Sequence, residues 1–149
     1  MADLVTTLSE SVVLNNAVRG SSNSVTTTGI NDVMERIVTC TQAVVTTIAV
    51  FAALPSTSPG AIDVDRTRYI RVTNLDLTNN IELAIVTTNT NYQVTITGGN
   101  SHILSLAQAV ALGEEDAEPS FGTMEDITSL QVQPVTANDA QVELFVGLV

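Results

Sequence analysis

Between Tyr69 and Ile85 the chain reads YIRVTNLDLTNNIELAI, with apolar and polar residues alternating on both sides of a centre rich in Asn, Asp and Thr. A period of two sends successive side chains to opposite faces of an extended strand, which a helical stripe cannot do. Ile70 and Val72 therefore share one face, with Tyr69, Arg71 and Thr73 on the other. Ile81, Leu83 and Ile85 return inward after a turn over 74–80. The stretch reads as a β-hairpin.

The pattern extends in both directions. NYQVTIT (91–97) puts Tyr92, Val94 and Ile96 on one side, and Gly98–Gly99 turn the chain into SHILSL (101–106). DITSLQVQP (126–134) and AQVELFVGLV (140–149) supply two last strands joined by TAND. AVVTTIAVF (43–51) reads as a buried strand. INDVMERIVTCT (30–41) fits a helical face and an alternating strand about equally, and its β-branched residues decide for strand. Residues 106–122 read as a short helix leading into an acidic loop. Four consecutive strands with short turns from 68 to 106 imply an antiparallel meander. About 8–10 short strands in all imply an antiparallel β-sandwich or jelly roll.

Aromatic residues make up only 3 % of the chain against 44 % hydrophobic, so the core must be aliphatic. At 149 residues one domain can bury such a core, and two could not comfortably do so. Residues 1–29 differ in kind: one strand-like run, TLSESVVL (7–14), precedes a polar tract with few core candidates. They read as an N-terminal arm or peripheral strand, and 30–149 as the sandwich domain.

Charge excludes whole classes of partner. Sixteen acids and five bases, all arginine, give a net charge of −11, which repels nucleic-acid phosphates and anionic membranes. No run reaches the ~20 apolar residues of a spanning helix, and the acidic N-terminus is unlike a signal peptide. We expect neither a nucleic-acid nor a membrane partner. The single Cys40 permits no internal disulfide and no thiolate metal cluster, which fits a reducing cytoplasm.

Reactive chemistry is sparse. His102 is the lone histidine and has no GxSxG or comparable nucleophile motif near it, so it reads as structural. Cys40 lacks a basic flank to lower its pKa and reads as buried and inert. Glu114, Glu115, Asp116 and Glu118 lack the alternating spacing of a calcium loop and read as a solvated loop. We therefore expect no catalytic, cofactor-binding or metal-ligating residues, no cofactor, and no enzyme. The exception is DVDRTRYIR (63–71), where Arg66, Arg68 and Arg71 crowd beside Tyr69. Arginine suits bidentate pairing with carboxylates. These residues pair within the domain, with Asp63, Asp65 or Asp76, or they form an interface with a neighbouring subunit.

Five segments carry a resemblance: TTLSESVVLNNAVRG (6–20), GINDVMERIVT (29–39), RYIRVTNLDLTNNIELAI (68–85), NYQVTITGGNSHILSL (91–106) and AQVELFVG (140–147). Together and in this order they resemble small virion proteins of tailed bacteriophages, especially marine ones. The TNLD within the strand pair is the most distinctive element. The resemblance implies a structural protein without catalytic residues, made in the bacterial host cytoplasm and carried on the virion. Its expected role is capsid decoration or cement, with the major capsid protein and further copies of itself as partners and a homotrimer favoured by threefold sites of shells. The rival expectations are a tail, neck or head-fibre component and, from another class, a carbohydrate-binding β-sandwich module. A chain with no Trp offers few exposed rings to a glycan.

Overall fold

The alternating, β-branched runs form strands almost everywhere they occur. A computed structural model describes residues 1–107, 110–111 and 122–149. In chain order the strands are β1 (Ala2–Ser9), β2 (Val12–Leu14), β3 (Ala17–Arg19), β4 (Ser22–Ile30), β5 (Asp32–Cys40), β6 (Thr46–Ala52), β7 (Ile62–Asp63) and β8 (Thr67–Asn74). They continue as β9 (Ile81–Val86), β10 (Asn91–Ile96), β11 (Ser101–Leu104), β12 (Val110–Ala111), β13 (Met124–Glu125), β14 (Ser129–Pro134) and β15 (Ala140–Leu148).

Two sheets face each other, in the orders β10-β9-β14-β6-β7 and β11-β8-β15-β5. All their pairings are antiparallel except β6 with β7. Four of these pairs nest in sequence: β9 with β10, β8 with β11, β6 with β14, and β5 with β15. The chain thus behaves as one long hairpin, doubled about the β9–β10 turn and wrapped into two layers.

One aliphatic cluster fills the space between the layers. Ile70, Val72, Val142, Leu144 and Val146 come from one sheet, and Ile48, Ile81, Leu83, Ile85, Leu130 and Val132 from the other, all fully buried. These are the inward positions that the alternation marks. The structure is an all-β sandwich.

The 69–85 stretch is nevertheless not a hairpin. β8 pairs with β15 and β11, whereas β9 pairs with β14 and β10, so the chain crosses from one sheet to the other at 75–80. β10 to β11 is a second such crossing, and only β9–β10 of the expected meander is a true hairpin. Alternation fixes which side chains are buried. Two inward faces on one sheet and two inward faces meeting across a sandwich obey the same pattern.

The strand expected over 43–51 begins only at Thr46: Ala43 adopts a positive φ of 57° in a turn, leaving Val44 and Val45 exposed. Of the helix and acidic loop expected over 106–122, Val110–Ala111 instead form β12 against β13. Residues 112–121, including Glu114, Glu115, Asp116 and Glu118, lie outside the described residues.

The crossing at 74–80 is held by polar side chains. Asn74 is fully buried, and its Nδ2 donates to the carbonyls of Asn79 (2.7 Å) and Ile96 (3.2 Å) while its Oδ1 accepts from the Asp76 N–H. The Asp76 carboxylate in turn accepts from the Thr78 N–H and hydroxyl and from the backbone and side chain of Asn79. The neighbouring crossing packs onto it at Gly98, where a Cβ would sit 2.6 Å from the Leu77 carbonyl. No other residue fits there.

The Asn79 amide, followed by the backbone N–H groups of Thr78 and Asn79, holds the Asp76 carboxyl far below the usual carboxylate range. A depressed folded-state pKa gives stability that is present above the unfolded value, near 4, and is lost as pH falls below it. Thermal melts of the parent chain and of Asp76→Asn should therefore differ most at neutral pH, with the parent more stable. The gap should narrow steadily from about pH 4 downward. A gap that stayed constant to pH 2 would remove the carboxylate from this account.

Candidate functional site

Residues 1–30 form a two-stranded ribbon, not the single peripheral strand that the run at 7–14 implies. β1 pairs antiparallel with β4 from Ala2↔Ile30 to Ser9↔Ser22, and β2 pairs with β3 at the tip. Asn15 and Asn16, with φ of 52° and 60°, form the turn, as the left-handed positions of a tight hairpin favour asparagine. Between the two pieces the Glu10 N–H donates to the Ser21 carbonyl (2.9 Å). Gly20 takes φ 117° there, where a Cβ would strike the Glu10 carbonyl at 2.1 Å. The signal missed in the sequence is Asn15–Asn16 between VVL and AVR.

The base of the ribbon lies across the outer face of the β8–β15 sheet, where Leu4, Val5, Thr6 and Thr7 share a cleft with Tyr69, Arg71 and Phe145. Beyond it, every residue from Thr7 to Thr26 is exposed. Among them are Leu8, Val12, Val13, Leu14, Val18 and Val25, of which Val18 is 75 % exposed. A two-stranded ribbon is marginal in water without a surface to cover it. Residues 1–30 hold only Asp3, Glu10 and Arg19, so they carry −1 of the chain's −11.

The interface candidates Arg66, Arg68, Tyr69 and Arg71 split into three settings. Arg66 donates to the Val149 carbonyl and to Asn31 Oδ1, tying the chain's last residue to the β4–β5 link. Arg68 donates to the carbonyls of Asp65 (2.8 Å) and Thr67 (3.0 Å). Arg71 meets Glu143 Oε2 at 2.7 Å, donates to Thr73 Oγ1, and lies 5.8 Å from the centroid of Phe145. Tyr69 packs edge-on against the same ring, with centroids 5.9 Å apart. Among the described residues none of the three arginines meets the carboxylates of Asp63, Asp65 or Asp76. The outward positions of AQVELFVG, Glu143 and Phe145, were the missing partners.

The Arg71–Glu143 pair is partly exposed, at 28 % and 19 % for the two side chains. Such a pair contributes about 0–1 kcal/mol. Arg71→Gln should accordingly lower the unfolding free energy by no more than about 1 kcal/mol in a urea titration. A larger drop would mean that the stacking on Phe145 fixes the ribbon's base.

His102 lies on β11 opposite Val72. Its Nε2 is buried with no hydrogen-bond partner among the described residues, and burial lowers its pKa, favouring the neutral ring. Cys40 is fully buried, and desolvation pushes its thiol up despite a hydrogen bond with Thr46. Neither group approaches a nucleophile or an acid–base partner in the interactions described. No cluster of three His, Cys, Asp or Glu occurs among the described residues, and no helix is long and apolar enough to cross a membrane. Compared with family models, with curated proteins and with solved structures, the chain finds no match in any of the three.

Proposed function

We propose that the chain is a non-enzymatic virion structural protein that decorates or cements the outer face of a tailed-phage shell as a homo-oligomer. One observation carries this reading: the sandwich projects a ribbon whose twenty residues from Thr7 to Thr26 are all exposed and include six large aliphatic side chains. Exposed apolar surface of this extent marks a docking element. The two-sheet sandwich with its nested strand pairs suits a virion domain, and the sequence resemblance to phage virion proteins points the same way.

The test uses shells stripped of the chain. Full-length protein should co-sediment with them and give density over the whole shell on imaging. A chain lacking residues 1–28 should keep its β circular dichroism and lose binding. Density confined to the tail or a vertex would favour the tail, neck or fibre reading. Equal binding by the truncated chain would remove the ribbon as its basis.

A second reading has its own observation. Glu82, Asn91, Gln93, Gln131 and Gln133 line a cleft on the outer face of the other sheet, and planar amides can hydrogen-bond sugar hydroxyls. Calorimetric titration with soluble oligosaccharides tests it, with heat abolished by Gln93→Ala as the supporting result.

A further inference from the structure

We infer that the ribbon of one copy adds to the free edge of β5 in a second copy, so that the oligomer closes by strand addition. This rests on the ribbon being an assembly element, and it names the occupant of that element and the surface that receives it.

The receiving surface is defined by comparing sheet edges. A free edge offers unpaired N–H and C=O groups to any strand, and proteins normally blunt it with shortness, proline, lysine or a bulge. Three sandwich edges are short: β7 has two residues, β11 four and β10 six. β5 has nine, in unbroken register with β15 and with no proline or bulge, its only blunting features being the charged Asp32, Glu35 and Arg36. Among the described residues it pairs with β15 alone, although the ribbon ends at Ile30, just before it. Val33 and Ile37 on its outward face are exposed, Ile37 to 61 %. The edge is built to accept a strand.

The ribbon is built to supply one. From Ala2 to Leu14 it spans roughly 40 Å at strand rise, against about 30 Å for β5. Only Leu8 to Leu14, roughly 20 Å of that, lies beyond the base, so the tip can cover about two thirds of a neighbour's edge while the base stays on its own sheet. Leu8 and Val25 share one ribbon face by register, ready to meet an apolar counterpart such as Ile37.

Charge selects the same contact. Residues 31–149 carry −10, so sandwich-to-sandwich packing sets acid against acid, whereas the ribbon is almost neutral. Its one base, Arg19, stands exposed at the tip, with no ion pair among the described residues, and β5 carries the acids Asp32 and Glu35 against one base, Arg36. Donor and acceptor are different surfaces, so the contact is head-to-tail, and the inferred oligomer is the ring that such contacts form when their rotation closes.

Sedimentation equilibrium with two variants decides it. Leu8→Asp/Val25→Asp damages the donor and Ile37→Lys the acceptor. All three positions are exposed, so both chains should keep the parent's melting temperature. Each variant alone should dissociate at least tenfold more readily than the parent. Mixed at equal concentration, the pair should form heterodimers, because one sound ribbon then faces one sound edge. A monomeric parent at 100 µM, an unaffected Ile37→Lys oligomer, or a mixture as dissociated as its components would each overturn the inference. A monomeric parent that still binds shells through the ribbon would leave the virion role standing. A ribbon-closed oligomer that binds no shell would do the reverse.

Discussion

Leu83→Ala should lower the free energy of unfolding by about 2–5 kcal/mol, measured by urea or guanidinium titration. Leu83 is fully buried in β9 between Val94 of β10 and Val132 of β14, with the aliphatic side chains of the other sheet before it. Truncation removes three carbons from a core with few large rings to move into the space. The loss of transfer free energy thus combines with that of the cavity left behind. Glu82→Ala, one residue away on the exposed face, is the control and should stay within about 0.5 kcal/mol of the parent. A loss under half a kcal/mol at Leu83 would mean that the register of β9 is inverted.

Asn74→Ala should cost a comparable amount for a different reason. The amide satisfies two carbonyls and one N–H at the crossing between sheets, and the side chain is fully buried. Each buried polar group left unpaired costs about 1–3 kcal/mol, and water admitted by the shorter side chain recovers part of that. A total of about 2–4 kcal/mol is expected from the same titrations. Asn74→Asp separates packing from hydrogen bonding: it keeps the volume, loses both donated bonds, and should be at least as damaging at neutral pH. A near-parental Asn74→Asp chain would show that the crossing is held by its backbone alone.

These two sites show what was legible in the sequence. Every inward residue named between Ile70 and Ile85 is buried, because period-two alternation is a direct record of sidedness. The partner strands were not legible, since pairing β8 with β15 depends on residues 68 to 81 positions away, and local alternation carries no such information. Asn74 and Asp76 read as ordinary turn formers, whereas they are the fastening of a crossing between sheets. At the ribbon, the polar tract hid two strands because Ser and Thr pairs such as Thr7–Ser24 serve where hydrophobic pairs normally mark a hairpin. The arginines were visible as a cluster. Their distribution over Asn31, Val149, Glu143 and local carbonyls follows from tertiary register alone.

The nested pairing also dictates an order of events during synthesis. The ribbon's pairing runs only from Ala2 to Ile30, whereas the outermost sandwich pair joins Asp32 to Leu148. β15 lies between β8 and β5, so the last of the sandwich's strands to be made is also the one that completes the middle of its sheet. Closing so long a loop is slow, with folding expected in about milliseconds to seconds. Until then β5 has both edges bare beside the ribbon's own two strands. If the ribbon docks on β5 as inferred, a nascent chain holds both together before the interior that separates them exists. Crowded polysomes are where this protein would begin to assemble too soon, and dilution or slower initiation should raise its soluble yield.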